Sequence, residues 1–90
     1  MSGPLSHLKI LDFSTLLPGP YATMMLADMG AEVLRVEAPG RVDLTRVMPP
    51  LEDGVGTAHT FLNRGKRSLG LDLKKAGSAD LVKRLVKDYD

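Results

Sequence analysis

Three cations fall within four residues at Arg64-Gly65-Lys66-Arg67, a density that suits a phosphate-bearing ligand. A second candidate is Pro18-Gly19-Pro20, which separates an apolar extended run from an apolar helical one. Strand-to-helix turns of this kind present backbone N–H groups to phosphates. Groups able to move protons or attack carbonyls are sparse. Asp12 lies in the first extended run beside Phe13, where a buried carboxylate reads as a hydrogen-bond acceptor for the first turn rather than a catalyst. His59 has no Ser, Cys or paired Asp at a telling spacing and reads as a surface or loop histidine; His7 belongs to a polar lead-in. Glu37 closes the second extended run and reads as a ribose-side or structural carboxylate, not a base. No catalytic residue and no metal site is expected among the ninety residues.

The elements that must position these groups follow from the apolar pattern. Residues 8–13 (LKILDF) carry apolar side chains on both faces, as an internal parallel strand does. Residues 14–20 form the turn, and a helix is expected over 21–29 (YATMMLADM), with Gly30 as its left-handed C-terminal residue. That helix is apolar nearly all round, so it asks for burial on every side, more than ninety residues readily supply. Residues 32–37 (EVLRVE) form the second strand. A connection from Ala38 to Arg67 follows, far longer than the loop median of about 4–6 residues; it holds one or two helical turns at 57–63 and the basic turn at 64–67. The third strand is expected at 68–73 (SLGLDL). Ser78 is the expected N-cap of a last helix, with Asp80 in its first turn. Leu81, Val82, Leu85, Val86 and Tyr89 lie on one side of that helix, opposite Lys83, Arg84 and Lys87. The fold class is therefore α/β, in the order β-α-β-loop-β-α. That alternation is half of a doubly wound parallel sheet and reads as the N-terminal part (1–90) of a larger domain.

Composition narrows the partners. With 43% hydrophobic and 26% charged residues and a net charge of +1, the chain does not suggest a nucleic-acid binder. No apolar run approaches the ~20 residues of a membrane span, so no membrane partner is expected. The N-terminus has no signal-peptide pattern, and the absence of cysteine fits a cytoplasmic protein.

A strand–turn–helix–strand unit ending in Glu37 resembles a dinucleotide-binding unit, but the turn STLLPGPYA holds one glycine where that fingerprint needs three. A phosphate loop of the Gly-Lys type fails as well: RGKRS lacks the first glycine and precedes a strand, not a helix.

Three blocks in this order, LDF…PGP, LADMGAEVLRVEAPG and NRGKRSLGLDLK, resemble the N-terminal part of the family III CoA-transferases and their α-methylacyl-CoA racemase relatives. The resemblance runs from Gly3 to Tyr89. It implies a Rossmann-like large domain with a small domain, in two subunits interlocked as rings. It also implies coenzyme A, bound as acyl-CoA, and a carboxylic acid as the partner molecules. In the transferase branch an Asp carries the acyl group as a mixed anhydride while CoA changes owner. In the racemase branch a His and an Asp exchange the α-proton of a 2-methylacyl-CoA. In both, those residues lie beyond position 90. A third reading of the free chain is a nucleotide-binding or interaction module without activity. The resemblance places CoA contacts on the loop after strand one, here Leu16, Leu17 and Pro18, and at the end of strand three, here Leu71, Asp72, Leu73 and Lys74. Arg64, Lys66 and Arg67 are added as candidate phosphate contacts. The chain departs from relatives that carry Arg directly after the glutamate closing strand two: it has Ala38, with Arg41 three residues on.

Overall fold

The computed structural model describes residues 3–41 and 43–90; Met1 and Ser2 of the lead-in and Val42 of the long connection lie outside the described residues. The order is β1 (Lys9–Asp12), α1 (Pro18–Asp28), β2 (Glu32–Glu37), a 3₁₀ turn (Leu44–Arg46), β3 (Leu51–Glu52), β4 (Val55–Gly56), α2 (Thr57–Leu62), β5 (Arg67–Gly70) and α3 (Ser78–Val86). Strands β1, β2 and β5 form a parallel sheet in the order β1-β2-β5, and β3 and β4 form a small antiparallel hairpin. The α/β class expected from the sequence is what the chain adopts.

Several boundaries move, each for a local reason. Helix α1 begins at Pro18, not Tyr21, so the Pro-Gly-Pro segment is its first turn. Proline suits that place because the first N–H groups of a helix have no partner to lose. The helix ends as expected: Gly30 takes φ 103°, its N–H donates to the Ala27 carbonyl and that of Ala31 to the Leu26 carbonyl. Those two bonds close a Schellman motif, and the positive φ is the reason for glycine. Ser78 is the first helical residue of α3; Gly77, at φ 89°, takes the cap position, and the Ser78 hydroxyl instead donates to the Asp72 carbonyl at 2.6 Å. Strand β5 ends at Gly70, so residues 71–73 form the turn beyond it. The long connection is not featureless. It folds back as the 3₁₀ turn, the hairpin and α2.

Strand β2, rather than β1, takes the internal place of this sheet. At the edge of β1 the Asp90 N–H donates to the Lys9 carbonyl at 2.7 Å, and the Lys9 N–H donates to the Asp90 carboxylate at 2.8 Å. Register places Ile10 beside Val33 and Asp12 beside Arg35, so these share one face. That face is apolar at the amino ends of the strands, where Val33 packs with Ala27 and Ala31. It turns charged toward the carboxyl ends, at Asp12, Arg35 and Glu37.

Helix α1 buries Pro20, Met24 and Ala27, a stripe at helical spacing. Its opposite face leaves Leu17, Tyr21, Met25 and Met29 exposed. All-round burial is therefore not met by the described residues: one face is packed and the other is bare apolar surface.

Candidate functional site

The charged ends of the strands are tied together by one continuous polar chain. Asp12, at the end of β1, accepts from the Ser14 N–H (2.8 Å), the Ser14 hydroxyl and the Thr23 hydroxyl (2.6 Å), which fixes the first turn of α1. This is the structural role read from the sequence. Burial raises the Asp12 carboxyl, but the Ser14 and Thr23 hydrogen bonds, with Lys66 behind them, bring it below its ordinary value. The Lys66 ammonium sits 3.5 Å from Asp12 and donates at 3.1 Å to the Pro20 carbonyl and to the Asn63 side chain.

Next to it, Arg35 of β2 is 3% exposed and reaches two carboxylates: Glu37 at 2.9 Å and Asp43. Asp43 also accepts from the Thr45 N–H (3.0 Å) and the Thr45 hydroxyl (2.8 Å). Burial pushes the Asp43 carboxyl up; the Thr45 bonds, Arg35 and the Leu16 amide outweigh it and lower it. Arg46 grips Glu37 through two bonds of 2.7 Å. The Arg46 bond is the main reason that Glu37 is lowered to about 2, with burial opposing and Arg35 assisting. His59 of α2 is buried, with Nδ1 3.3 Å from both the Thr45 hydroxyl and the Asn63 amide nitrogen. The expectation of a surface or loop histidine is corrected here. Burial, with Arg46 and Arg35 nearby, pushes the imidazole below its ordinary value.

Above this network, at the carboxyl ends of all three strands, lies a groove of about 380 Å³. Phe13, Thr15, Leu16, Leu44, Leu71 and Leu73 line it together with Glu37, Arg41 and Asp43. A smaller hollow of about 250 Å³ adjoins it through Glu37, Ala38 and Arg41, and adds Arg46 and Gly70. Parallel sheets bind ligands at this end, where loops diverge and N–H groups are free. Leu16 adopts φ 67°, a left-handed conformation uncommon for leucine, beside the carboxylate that its amide helps to stabilise. Strained backbone of this kind costs about 1–3 kcal/mol and concentrates at ligand sites.

Of the residues singled out from the sequence, Leu16, Leu71 and Leu73 meet in this groove. Leu17 and Pro18 are the cap and first residue of α1 and do not line it. Asp72 bonds the Lys74 N–H at 3.0 Å and shapes the turn, and Lys74 is exposed beside it. The basic turn is dispersed. Arg64 pairs with Asp28 (2.6 Å), Arg67 pairs with Glu32 (3.2 Å), and the Lys66 side chain, 1% exposed, is enclosed on Asp12. A cation that opens a parallel strand sits at the sheet's amino end, so Arg67 and its partner Glu32 lie opposite the groove. The cations here are instead Arg41, which lines both the groove and the adjoining hollow, and Arg46, which lines the hollow. Sequence reasoning passed over Arg35, Asp43, Thr45 and Arg46. The available signal was Arg35 itself: an arginine between Leu34 and Val36 in an internal strand is buried, and a buried arginine needs a carboxylate. Among the described residues no cluster of three His, Cys, Asp or Glu is placed to hold a metal ion. Nor is any helix among them long and apolar enough to cross a membrane.

Comparison with known proteins gives a consistent result. The family model of CoA-transferase family III matches residues 5–90. The chain is 51% identical to succinyl-CoA:mesaconate CoA-transferase of Haloarcula hispanica, over 98% of this chain and 23% of that protein. It is 42% identical to succinyl-CoA:glutarate CoA-transferase of Homo sapiens, over 97% of this chain and 20% of that one. Among solved structures, a CAIB/BAIF family protein from Brucella suis superposes with a TM-score of 0.87 at 35% identity, covering 100% of this chain and 25% of that one. The chain thus spans about a quarter or less of the length of the relatives it matches.

Proposed function

The chain belongs to CoA-transferase family III, and from that premise we propose that it forms the coenzyme A-binding wall of an enzyme that moves CoA between carboxylic acids. The observation that carries this reading is the groove at the strand carboxyl ends, with leucine walls and two arginines, in a chain whose relatives are named CoA-transferases. An acyl-CoA is an extended molecule with an apolar middle and a phosphate-rich end. Leu16, Leu71 and Leu73 suit the middle, and Arg41 and Arg46 suit the phosphates. Arg41 takes over the place that an arginine directly after the strand-two glutamate has in related chains. Leu17, Pro18, Asp72 and Lys74 support the groove from the two loops that frame it. Arg64, Lys66 and Arg67 line neither hollow: Arg64 pairs with Asp28, Lys66 is enclosed on Asp12, and Arg67 pairs with Glu32 at the opposite end of the sheet.

The reaction passes the acyl group through an anhydride with an enzyme carboxylate, which displaces the CoA thiolate from the thioester carbonyl. That carboxylate is not one of these residues. Asp12 and Asp43 are buried, hydrogen-bonded and held ionised by their partners, which removes their nucleophilic lone pairs from use. The residue comes from the parent enzyme, as does the chain that covers Leu17, Tyr21, Met25 and Met29 in an interlocked dimer. Transfer is preferred to 2-methylacyl-CoA racemisation because the relatives described above carry transferase names.

The test uses the full-length protein containing this chain. Succinyl-CoA is supplied with mesaconate, glutarate or oxalate, and new acyl-CoA is measured by mass spectrometry. Formation of a new thioester with release of succinate is expected, and Arg41→Ala raises KM for the CoA ester several-fold. Tighter binding of NAD than of CoA, or α-proton exchange without transfer, overturns the proposal.

A further inference from the structure

His59 and Thr45 line neither hollow, yet the hydrogen bonds from them lead to the groove's cationic rim. The Thr45 hydroxyl gives its proton to Asp43 at 2.8 Å. Its oxygen therefore has only lone pairs to offer the His59 Nδ1 at 3.3 Å, so the Nδ1–H tautomer of His59 is the one that bonds to it. The Asn63 amide, next in line, donates to the His59 backbone carbonyl at 3.0 Å and so holds the end of α2. Asp43 passes the constraint on through Arg35 to Glu37, and Glu37 grips Arg46, the residue that follows Thr45 on the same 3₁₀ turn. The loop closes on itself. Thr45 fixes the backbone that carries Arg46, and the carboxylate that fixes the Arg46 head is fixed by the arginine that Asp43 holds.

One further observation fits a guanidinium oriented by its two carboxylates. Arg35 Nε is buried without a partner among the described residues, although Arg35 reaches both Asp43 and Glu37. An unpaired buried donor is unfavourable and needs a reason. Here the guanidinium is turned to span two carboxylates, one on the strand and one on the loop, at the expense of its third donor position.

We infer that His59 and Thr45 are positioning residues for the coenzyme A site: through Asp43 and Arg35 they hold Arg46 and Glu37 in the geometry that receives the ligand. This rests on the CoA reading given above. The groups facing His59 are Thr45, Asn63, Arg46, Arg35, Asp43 and Glu37, and a neutral imidazole fits among them because two guanidiniums and two carboxylates already balance.

The experiment compares His59→Leu and Thr45→Val with His59→Asn and Thr45→Ser in the full-length protein. Asparagine puts an N–H donor near the Nδ1 position, and valine keeps the shape of threonine without the hydroxyl. Two quantities are read: the exchange rate of the Arg46 side-chain Nε–H by NMR, and KM and kcat with succinyl-CoA. The leucine and valine variants are expected to speed Arg46 Nε–H exchange and to raise KM about three- to tenfold, with a smaller change in kcat. The asparagine and serine variants are expected to return both toward wild type. Unchanged Arg46 exchange in a folded Thr45→Val protein overturns the inference, as does asparagine behaving like leucine. A wild-type protein that does not process or bind succinyl-CoA overturns the CoA reading instead, and the NMR readout still decides whether His59 and Thr45 hold Arg46.

Discussion

Replacing Asp43 with asparagine tests the buried network where it is most concentrated. The Asp43 side chain is fully enclosed, Arg35 beside it is 3% exposed, and the two are in direct contact. The variant keeps the size of the side chain but removes the charge, leaving a buried guanidinium with Glu37 as its single carboxylate. Removing one partner of a buried ion pair typically costs about 3–5 kcal/mol, because the other charge stays desolvated. The pair Arg67–Glu32 supplies an internal contrast: its side chains are 76% and 43% exposed, and such pairs contribute about 0–1 kcal/mol. With a urea dependence of about 2 kcal/mol per M, Asp43→Asn lowers the unfolding midpoint by about 1.5–2.5 M, and Glu32→Gln lowers it by less than about 0.5 M. Adding Arg35→Met to Asp43→Asn recovers part of the loss, since the stranded charge is then gone. Urea titration followed by circular dichroism measures all four proteins. Equal, small shifts for Asp43→Asn and Glu32→Gln would falsify the assignment of the network as a buried, mutually dependent unit.

Three other perturbations probe separate parts of the fold. Glu37 is lowered from 4.5 to about 2, so its contribution is present above the unfolded value and disappears as pH falls from about 4.5 toward 2; Glu37→Gln flattens that limb of a stability–pH curve, and an unaltered limb argues against the Arg46 clamp. Lys66→Ala destabilises the protein by about 1–3 kcal/mol because it removes the donor to the Pro20 carbonyl and the Asn63 side chain while Asp12 keeps its Ser14 and Thr23 bonds, whereas Lys74→Ala on the exposed turn changes stability by less than about 0.5 kcal/mol; denaturant midpoints decide between this and a surface role for Lys66. Gly56→Ala would drive its Cβ onto the Thr45 carbonyl oxygen and against that of Met48, so it costs about 1–3 kcal/mol and loosens the hairpin, visible as faster amide exchange at Val55 and Thr57.

The sheet was legible because period and polarity agree over short runs. EVLRVE reads as a strand and is one, although it takes the internal place that the pattern of LKILDF suggested for β1, and the Met29-Gly30 step announces the end of α1. The start of α1 was misplaced because proline marks turns and first helical turns alike, and sequence alone does not separate them. Leu16, Leu71 and Leu73, singled out through family resemblance, meet in the groove, whereas its charged residues were not singled out as CoA contacts. Arg64, Lys66 and Arg67 are adjacent in sequence, but three carboxylates on α1, β1 and β2 draw them apart. Arg35, Asp43 and Arg46 come together only when the long connection folds back over β2, a contact between segments that no local pattern encodes. The same folding buries His59, whose neighbours along the chain, Ala58 and Thr60, give no hint of it.

The enclosure of Lys66 also bears on chemical wear. Thioesters acylate amines without an enzyme, and the reaction needs an amine that is both unprotonated and reachable. Burial lowers the Lys66 ammonium, against the opposing pull of Asp12, so by acidity it is the more reactive kind of lysine. Its nitrogen is nevertheless committed to the Pro20 carbonyl, the Asn63 side chain and Asp12, inside a side chain 1% exposed. A protein working in the presence of acyl-CoA would therefore take such damage at lysines that stand in solvent, Lys74 and Lys75 on the turn after β5 and Lys83 and Lys87 near the C-terminus among them. The lysine on which the joint between β1 and α1 depends is the one that the thioester cannot reach.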